Sequence, residues 1–229
     1  MKTILITGAS RGIGRAIAIR FSAPDTTLYL TGRDAKGLGE TGNQVKSKGG
    51  NPIAIVADLS SPEEVEKVIS ELSGQHLDLL VNNAGMAVVK PFQQLSQNDW
   101  DKTLAVNLTA PFLLTKMLSP EMPEGSSIVN ILSIAAKTGF PNWSSYCASK
   151  FGMEGLTQSI REELRPRGIR VTNIYPGRVD TSIWKGVPGE WPQETMIKAE
   201  DVAGAVYYAY SQPPGVQIKE IELGKLRKD

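Results

Sequence analysis

The chain has 229 residues, with 25 basic side chains against 24 acidic ones and a formal net charge of +1 at pH 7. One histidine, His76, and one cysteine, Cys147, exclude an internal disulfide and a histidine-rich zinc site, and any Ser-His-Asp hydrolase would have to use His76 as its base. The balanced charge gives no support for a nucleic-acid partner, while the length allows folding to bury roughly 70–75% of the unfolded surface.

Neither a targeting segment nor a membrane segment is recognisable in the sequence. The first apolar run, Ile4 to Ile6, is too short for the core of a signal peptide. No stretch approaches the roughly 18 apolar residues of a spanning helix. We therefore expect a cytoplasmic protein with no membrane partner and no bound metal.

Short apolar runs alternate with longer helical patterns along the chain. Strands are predicted at 4–6, 28–30, 53–56, 77–81, 128–132, 171–175 and 218–223. Helices are predicted at 12–22, 34–48, 62–72, 100–119, 146–164 and 199–211. This alternation predicts one Rossmann-like, doubly wound α/β domain spanning 1–229, with a seven-stranded, mainly parallel sheet flanked by helices. Only the last run alternates cleanly between apolar and polar residues, which suits an edge strand.

The least regular segment, 178–198, is rich in Gly, Pro and Trp and lies between a predicted strand and a predicted helix. Ligands of open α/β sheets bind beyond the carboxyl ends of the strands, where this segment begins. It is either a lid over a substrate site or a tolerated surface loop. The side chains of Trp184 and Trp191 favour the lid, because indoles prefer to be covered.

A glycine-rich turn follows the first predicted strand and opens a helix, in the sequence Thr7-Gly8-Ala9-Ser10-Arg11-Gly12-Ile13-Gly14. Gly8 allows a tight turn, Gly12 allows the backbone to approach a pyrophosphate, and Gly14 allows close packing of helix on strand. The helix N-terminus then offers free N–H groups to the phosphates. The strand-turn-helix context therefore predicts dinucleotide binding.

The end of the second predicted strand indicates which dinucleotide binds. Enzymes that use NAD place an acid there for the ribose 2′-hydroxyl, whereas enzymes that use NADP place arginine near the 2′-phosphate. Here Arg33 follows the strand, and Arg11 in the glycine turn can reach the same phosphate. The two arginines favour NADP(H) over NAD(H). Asp34 leaves NAD open, since a shift of one residue would place its carboxylate at the strand end.

Tyr146 and Lys150 lie four residues apart on a predicted helix, so their side chains share one face. A phenol with an ordinary pKa of about 10 exchanges protons poorly at neutral pH. A nearby ammonium favours the phenolate and lets the pair exchange protons with an alcohol or a carbonyl. A tyrosine four residues before a lysine is common by chance, so the surrounding motifs are needed to support this interpretation.

Further motifs follow the strands in chain order. They are Asp58-Leu59, Asn82-Asn83-Ala84-Gly85, Asn107, Ser133, and Pro176-Gly177 with Val179 and Thr181. With the glycine turn and the Tyr146–Lys150 pair, they make nearly the whole chain resemble the compact, single-domain branch of the short-chain dehydrogenases/reductases. The resemblance implies an NADP(H)-dependent oxidoreductase that transfers hydride between the nicotinamide and a ketone, an aldehyde or a secondary alcohol.

The resemblance also implies roles for the matching residues. Tyr146 is the general acid in reduction, and Lys150 lowers its pKa and binds the nicotinamide ribose. Ser133 binds the substrate oxygen, and Asn107 holds a water that links Lys150 to solvent. The implied cofactor-binding residues are Gly8, Ser10, Arg11, Gly12, Ile13, Gly14, Arg33, Asp58, Leu59, Asn82, Ala84, Gly85, Tyr146, Lys150, Pro176, Gly177, Val179 and Thr181.

Partners follow from the same resemblance. It implies a homodimer or homotetramer, with the dimer formed by the helices that begin near Trp100 and Tyr146. The tail, 224–229, is polar where many relatives carry an apolar tail for a tetramer contact, so dimer and tetramer both stay open. The substrate is a small carbonyl or alcohol compound: a 3-oxoacyl thioester, a small hydroxy acid or a xenobiotic carbonyl. The apolar pocket candidates argue against a highly charged reacting end: Met86, Val88, Val89, Phe140, Trp143, Ile183 and Trp184.

Two other function classes remain as alternatives. A non-catalytic NADP(H)-sensing protein on the same fold predicts loss of Ser133, Tyr146 or Lys150, and all three are present. An epimerase or dehydratase of the longer branch of the family carries an additional sugar-binding domain, for which 229 residues leave little room. Reduction of a ketone or aldehyde is therefore the leading hypothesis.

Overall fold

Seven strands form one parallel sheet in the computed structural model, which describes residues 1–185, 187–213 and 215–226. The spatial order is β3-β2-β1-β4-β5-β6-β7, and every neighbouring pair is parallel. The predicted Rossmann-like sheet is confirmed, with the last strand at an edge. The strands are β1 (Lys2–Thr7), β2 (Thr26–Gly32), β3 (Asn51–Val56), β4 (Leu79–Asn82), β5 (Ser127–Ile131), β6 (Arg170–Pro176) and β7 (Glu220–Leu223).

Helices cover both faces of the sheet. Alternate residues of one strand enter different cores: Ile4 and Ile6 pack on one side, and Leu5 packs on the other. The first side is covered by α1, α2 and α7, and the second by α3, α5 and α6. The helices are α1 (Gly12–Arg20), α2 (Ala35–Ser47), α3 (Pro62–Glu71), α4 (Gln97–Leu104), α5 (Ala110–Leu118), α6 (Ser144–Leu164) and α7 (Ala199–Tyr210).

The helix predicted at 100–119 has a different form in the structure. It begins at Gln97, because Ser96 and Asp99 form a capping box in which the Ser96 hydroxyl accepts from the Asp99 N–H at 3.1 Å. A wider π-helical segment, Ala105–Thr109, then separates α4 from α5. Such a segment inserts an extra residue into the helix and is frequent at functional sites. The apolar pattern gave no sign of either feature.

Three buried asparagines cross the sheet in register, and we call them the asparagine ladder. Asn82, Asn130 and Asn173 are paired on β4, β5 and β6. The Asn82 amide donates to Asn130 Oδ1 at 2.9 Å, and the Asn130 amide donates to Asn173 Oδ1 at 3.2 Å. The Asn173 amide donates in turn to Glu154 of α6 at 2.8 Å. The asparagine side chains can reach one another only when the three strands are in this register. The ladder therefore aligns the ends of β4, β5 and β6.

Some sequence predictions concern parts of the chain outside the described residues. Gly186 of the predicted lid and residues 227–229 of the polar tail belong to this group. In the described ranges no helix is both long and apolar enough to cross a bilayer. The same ranges contain no group of three or more His, Cys, Asp and Glu side chains that could hold a metal ion.

The asparagine ladder predicts a large stability loss when its centre is made apolar. Asn130→Leu removes the shorter hydrogen bond of the Asn82 amide and the bond that the Asn173 carbonyl oxygen accepts, both in the buried core, which costs about 3 kcal/mol of unfolding free energy. Urea unfolding measures the change. The exposed Asn43 is the control, and Asn43→Ala is expected to change the free energy by less than about 0.5 kcal/mol. Equal effects of the two substitutions would contradict a structural role for the ladder.

Candidate active site

A cavity of about 760 Å³ lies at the carboxyl ends of the strands, where the sheet order reverses between β1 and β4. Open α/β sheets bind ligands at this place. Every catalytic or cofactor-binding residue predicted from the sequence lines the cavity, apart from Gly14, Asn82 and Asn107. Among the predicted apolar pocket residues, Val88 and Val89 do not line it. The lining residues among the predictions are Gly8, Ser10, Arg11, Gly12, Ile13, Arg33, Asp58, Leu59, Ala84, Gly85, Ser133, Tyr146, Lys150, Pro176, Gly177, Val179 and Thr181.

The glycine turn forms one wall of the cavity. Gly8 and Gly12 have φ angles of +65° and +56°, in the left-handed region that favours glycine. A Cβ atom at Gly8 would lie 2.9 Å from the Ala84 Cα atom, and one at Gly14 would lie 2.3 Å from the Gly8 carbonyl oxygen. The first turn of α1 has no side-chain cap and no acidic residue, so its N–H groups are available to an anion.

Thr7 and Asn83 join this turn to the segment that follows β4. The Thr7 hydroxyl accepts from the N–H groups of Asn83 and Ala84, each at 2.9 Å. The Asn83 side-chain amide donates to the carbonyl oxygens of Thr7 at 2.7 Å and Gly8 at 3.2 Å. Asn83 therefore fixes the position of the glycine turn and lines the cavity, a role that the sequence analysis did not assign to it.

Asn82 was predicted beside the adenosine ribose, and the structure places it elsewhere. It is the last residue of β4, and its side chain belongs to the buried asparagine ladder. Successive side chains of a strand point to opposite faces, so Asn82 and Asn83 cannot share one environment. The apolar β4 residues are buried on both faces of the sheet, so the sequence does not tell which asparagine faces the cavity.

Charged residues gather at the β2 end of the cavity. Arg33 lies 3.8 Å from Asp58, and Arg11 lines the same cavity. Burial raises the pKa of Asp58, but hydrogen bonds from Ser60 and the positive charge of Arg33 outweigh it and hold the pKa below its ordinary value. Asp34 is the N-cap of α2, where its Oδ1 accepts from the Gly37 N–H at 3.0 Å.

Ser133, Tyr146 and Lys150 meet at the opposite end of the cavity. Ser133 follows β5, and Tyr146 and Lys150 lie one turn apart on α6. The Lys150 ammonium donates to the Ile131 carbonyl oxygen at 2.9 Å and lies 5.7 Å from the centre of the Tyr146 ring. Backbone geometry at the end of β5 therefore positions both Ser133 and the lysine.

Burial dominates the proton affinities of this group. It raises the pKa of Tyr146 to about 12, with the Ser133 hydroxyl acting in the opposite direction. It also lowers the pKa of Lys150 to about 8. The family resemblance implies that Lys150 lowers the pKa of Tyr146. Burial dominates the pKa of Tyr146 in this structure, and its lowering by Lys150 stays a prediction.

Asn107 lies in the π-helical segment and does not line the cavity. Its Oδ1 accepts from the Met86 N–H, and its amide donates to the Met86 carbonyl oxygen, both at 2.9 Å. The same amide donates to Ser149 Oγ at 3.0 Å, and Ser149 donates to the Tyr146 carbonyl oxygen at 2.7 Å. Asn107 thus ties the segment after β4 to α6, and its role in holding a water stays a prediction.

The segment after β6 covers the glycine turn. The Gly177 N–H donates to the Leu223 carbonyl oxygen at 2.7 Å, and Val179 pairs with Ile197 across the predicted lid. A Cβ atom at Gly12 would lie 3.2 Å from the Thr181 methyl group. The segment also brings Arg178, Trp184 and Trp191 to the cavity. Arg178 was missed by the sequence analysis, and its position directly after Pro176-Gly177 was the available signal.

The sequence is similar to those of a known protein family. Residues 2–190 match the family model described as short chain dehydrogenase. The sepiapterin reductase of Chlorobaculum tepidum is 37% identical over 231 residues, covering 96% of this chain and 94% of the relative. A 3-oxoacyl-[acyl-carrier-protein] reductase of Synechocystis is 30% identical and covers 93% of this chain and 91% of the relative.

Solved structures agree with these matches. A metagenomic short-chain oxidoreductase in complex with NADP aligns with a TM-score of 0.85 and 30% identity, covering 99% of this chain and 98% of that one. An alcohol dehydrogenase of the archaeon Thermococcus sibiricus, complexed with 5-hydroxy-NADP, aligns with a TM-score of 0.88 and 26% identity. That alignment covers 100% of this chain and 99% of the other.

Because Lys150 is buried, we expect the free energy of unfolding to depend on pH. Its pKa is about 8 in the folded protein and about 10.4 in an unfolded chain. The unfolded chain binds more protons between these values, so the free energy of unfolding increases with pH there, by roughly 2–3 kcal/mol.

Urea unfolding across this pH interval measures the effect. Lys150→Met is expected to abolish the increase, whereas Lys36→Met, at an exposed position, is expected to retain it. A wild-type curve parallel to that of Lys150→Met would contradict the lowered pKa.

Proposed function

The chain belongs to the short-chain dehydrogenase family of oxidoreductases, and from this premise we propose that it is an NADP(H)-dependent reductase of a ketone or aldehyde. The observation that carries the proposal is the convergence of Ser133, Tyr146 and Lys150 on the cavity that also contains the glycine turn. A non-catalytic NADP(H)-sensing protein has no need of a buried phenol and a buried amine at one cavity wall. The three intact side chains therefore favour catalysis.

The residues present fit a dinucleotide cofactor. The glycine turn forms a cradle that a Cβ at Gly8 or Gly14 would fill, and the uncapped N-terminus of α1 opens beside it. This combination suits a pyrophosphate. Asp58 and Leu59 would bind the adenine end, and Pro176, Gly177, Val179 and Thr181 the nicotinamide end, while the described part of 178–198 would cover the substrate.

We propose that NADP(H) is preferred over NAD(H). The Arg33 side chain is 66% exposed and Arg11 lines the same part of the cavity, so both guanidiniums can reach a 2′-phosphate. Asp34, the residue that could serve NAD, has its carboxylate engaged as the cap of α2. The NADP and NADPH complexes among the structural neighbours agree with this preference.

The side chains have distinct tasks in the reduction. The cofactor, when bound, supplies the hydride for the carbonyl carbon. Tyr146, which is protonated at neutral pH, donates its proton to the carbonyl oxygen. Ser133 orients that oxygen. Lys150 has donors beyond the one held by Ile131, and these are available to the cofactor ribose and to the proton supply of Tyr146.

A homodimer through α5 and α6 completes the proposal. Phe112, Met117 and Phe151 on these helices are between 41% and 50% exposed. Large apolar side chains at this exposure on two helices favour a contact with another chain. Sedimentation equilibrium is expected to give twice the mass of the 24.8 kDa chain, and a monomer would refute this assembly.

Removing the Tyr146 hydroxyl tests the proton donor. Tyr146→Phe is expected to lower kcat for carbonyl reduction at least about 100-fold. The Kd for NADPH should change less than about threefold, because packing of the ring is retained. Stopped-flow absorbance and calorimetry measure the two quantities. Tyr208→Phe, on the exposed face of α7, is the control with unchanged kcat. Full activity of Tyr146→Phe would rule out the mechanism.

Removing Arg33 tests the cofactor preference. Arg33→Ala deletes a charge-assisted contact to the 2′-phosphate, so the Kd for NADPH is expected to rise about tenfold or more. The Kd for NADH should stay unchanged, since NADH carries no such phosphate. Arg165→Ala, with its guanidinium 71% exposed and paired with Glu162, is the matched control. An equal loss of affinity for both cofactors would invalidate the assignment.

A further inference from the structure

Three tryptophans form a wall of the cavity beside Tyr146, and we call them the tryptophan wall. The ring centre of Trp143 lies 5.5 Å from that of Tyr146, in an edge-to-face contact. Trp184 meets Trp143 edge-to-face at 6.0 Å, and Trp191 stacks on Trp184 at 4.4 Å. All three indoles line the cavity and are only half-buried. Aromatic surface therefore extends outward from the phenol that donates the proton.

The wall is fixed by its own loop. The Trp184 indole N–H donates to the Val179 carbonyl oxygen at 2.8 Å, and the Trp191 N–H donates to that of Val187 at 3.1 Å. An indole has one hydrogen-bond donor, so in both residues it is already used. What these two side chains offer a ligand is ring faces and C–H edges, held in place before the ligand arrives.

The charges near the wall indicate which rings it accepts. The carboxylates that line the cavity, Asp34 and Asp58, lie with Arg33 at the β2 end. At the wall, the lining charges are those of Arg178 and Lys185, and the Arg178 guanidinium lies 5.1 Å from the centre of the Trp191 ring. Among the residues that line the cavity, those at the wall carry positive charge only, which disfavours a cationic substrate and suits an electron-rich ring.

We propose that the substrate is a planar aromatic or heteroaromatic carbonyl compound whose ring packs on the tryptophan wall while its carbonyl oxygen reaches Tyr146. A flexible acyl chain would gain only burial there, whereas a flat ring also gains stacking, which contributes up to about tenfold in affinity. The inference rests on the proposed function. The C=O π bond breaks, carbon gains hydride from NADPH, oxygen gains the Tyr146 proton, and NADP⁺ is released.

A matched pair of ketones tests the substrate class. Acetophenone and cyclohexyl methyl ketone share a carbon skeleton and differ in whether the ring is aromatic and flat. The ratio of their kcat/KM values with NADPH is measured in the wild type and in variants, so that intrinsic reactivity cancels. Trp184→Leu is expected to lower the ratio about five- to tenfold. Trp184→Phe should retain most of it.

Trp100 supplies the control for general effects of losing an indole. It lies on α4 away from the cavity, so Trp100→Leu should leave the ratio unchanged. A ratio in Trp184→Leu equal to that of the wild type would overturn the proposal. So would an equal fall in Trp100→Leu.

Binding to the NADP⁺-loaded protein, measured by ligand-observed NMR, separates this inference from the proposed function. Tighter binding of acetophenone than of cyclohexyl methyl ketone, with the advantage lost in Trp184→Leu, supports the tryptophan wall even if neither ketone is reduced. That outcome would count against the proposed reductase function and leave the inference about the tryptophan wall intact. Equal Kd values for the two ketones in the wild type would overturn the inference, whatever the activity.

Discussion

The contact between Thr7 and Asn83 is the constraint on which the site depends. It bonds the end of β1 to the segment after β4 at the point where the sheet order reverses. Gly14 packs directly on the Gly8 carbonyl oxygen, so fixing Gly8 also fixes the N-terminus of α1. Any Cβ at these glycines would separate the helix from the sheet. The position of an anion-binding helix end is therefore set by two strand ends.

At the reacting end of the cavity, the next strand along the sheet, β5, likewise sets the positions of the side chains. Lys150 is held by a carbonyl oxygen of β5, and the asparagine ladder aligns β5 with β4 and β6. Asn107 uses the π-helical segment to bond Met86 and Ser149 at once. Buried polar groups are costly unless they are paired. Lys150 and Asn107 are paired with backbone and with Ser149, and the amides of the asparagine ladder are paired with the neighbouring strand, so the geometry of the sheet sets the geometry of the site.

Much of this arrangement could be predicted from the sequence, because the fold and the glycine turn are determined by local patterns. Apolar runs of strand length between helical patterns define the parallel sheet, and residues just after strands must meet at its carboxyl edge. This is why Ser133, Asp58 and Thr181 were placed at the cavity correctly. The roles of these residues depend on the chemistry of bound molecules and remain proposals.

The remaining features depend on contacts between distant residues, which local patterns do not contain. Asn82 and Asn83 are adjacent in sequence, yet one enters the ladder and the other the cavity. The bonds of Asn107 depend on a π-helical segment that the apolar pattern does not reveal. The high pKa of Tyr146 results from burial by several elements at once. The tryptophan wall likewise joins the N-cap residue of α6 to the loop after β6.

The central claim is that this cavity transfers a hydride from NADPH to a carbonyl carbon and a proton from Tyr146 to its oxygen. The most direct measurement uses NADPH deuterated at the transferable position of the nicotinamide, with acetophenone as acceptor and mass and NMR analysis of the alcohol. We expect one deuterium on the carbinol carbon of the product. An alcohol formed without deuterium, or NADPH bound without any transfer to a carbonyl compound, would contradict the account.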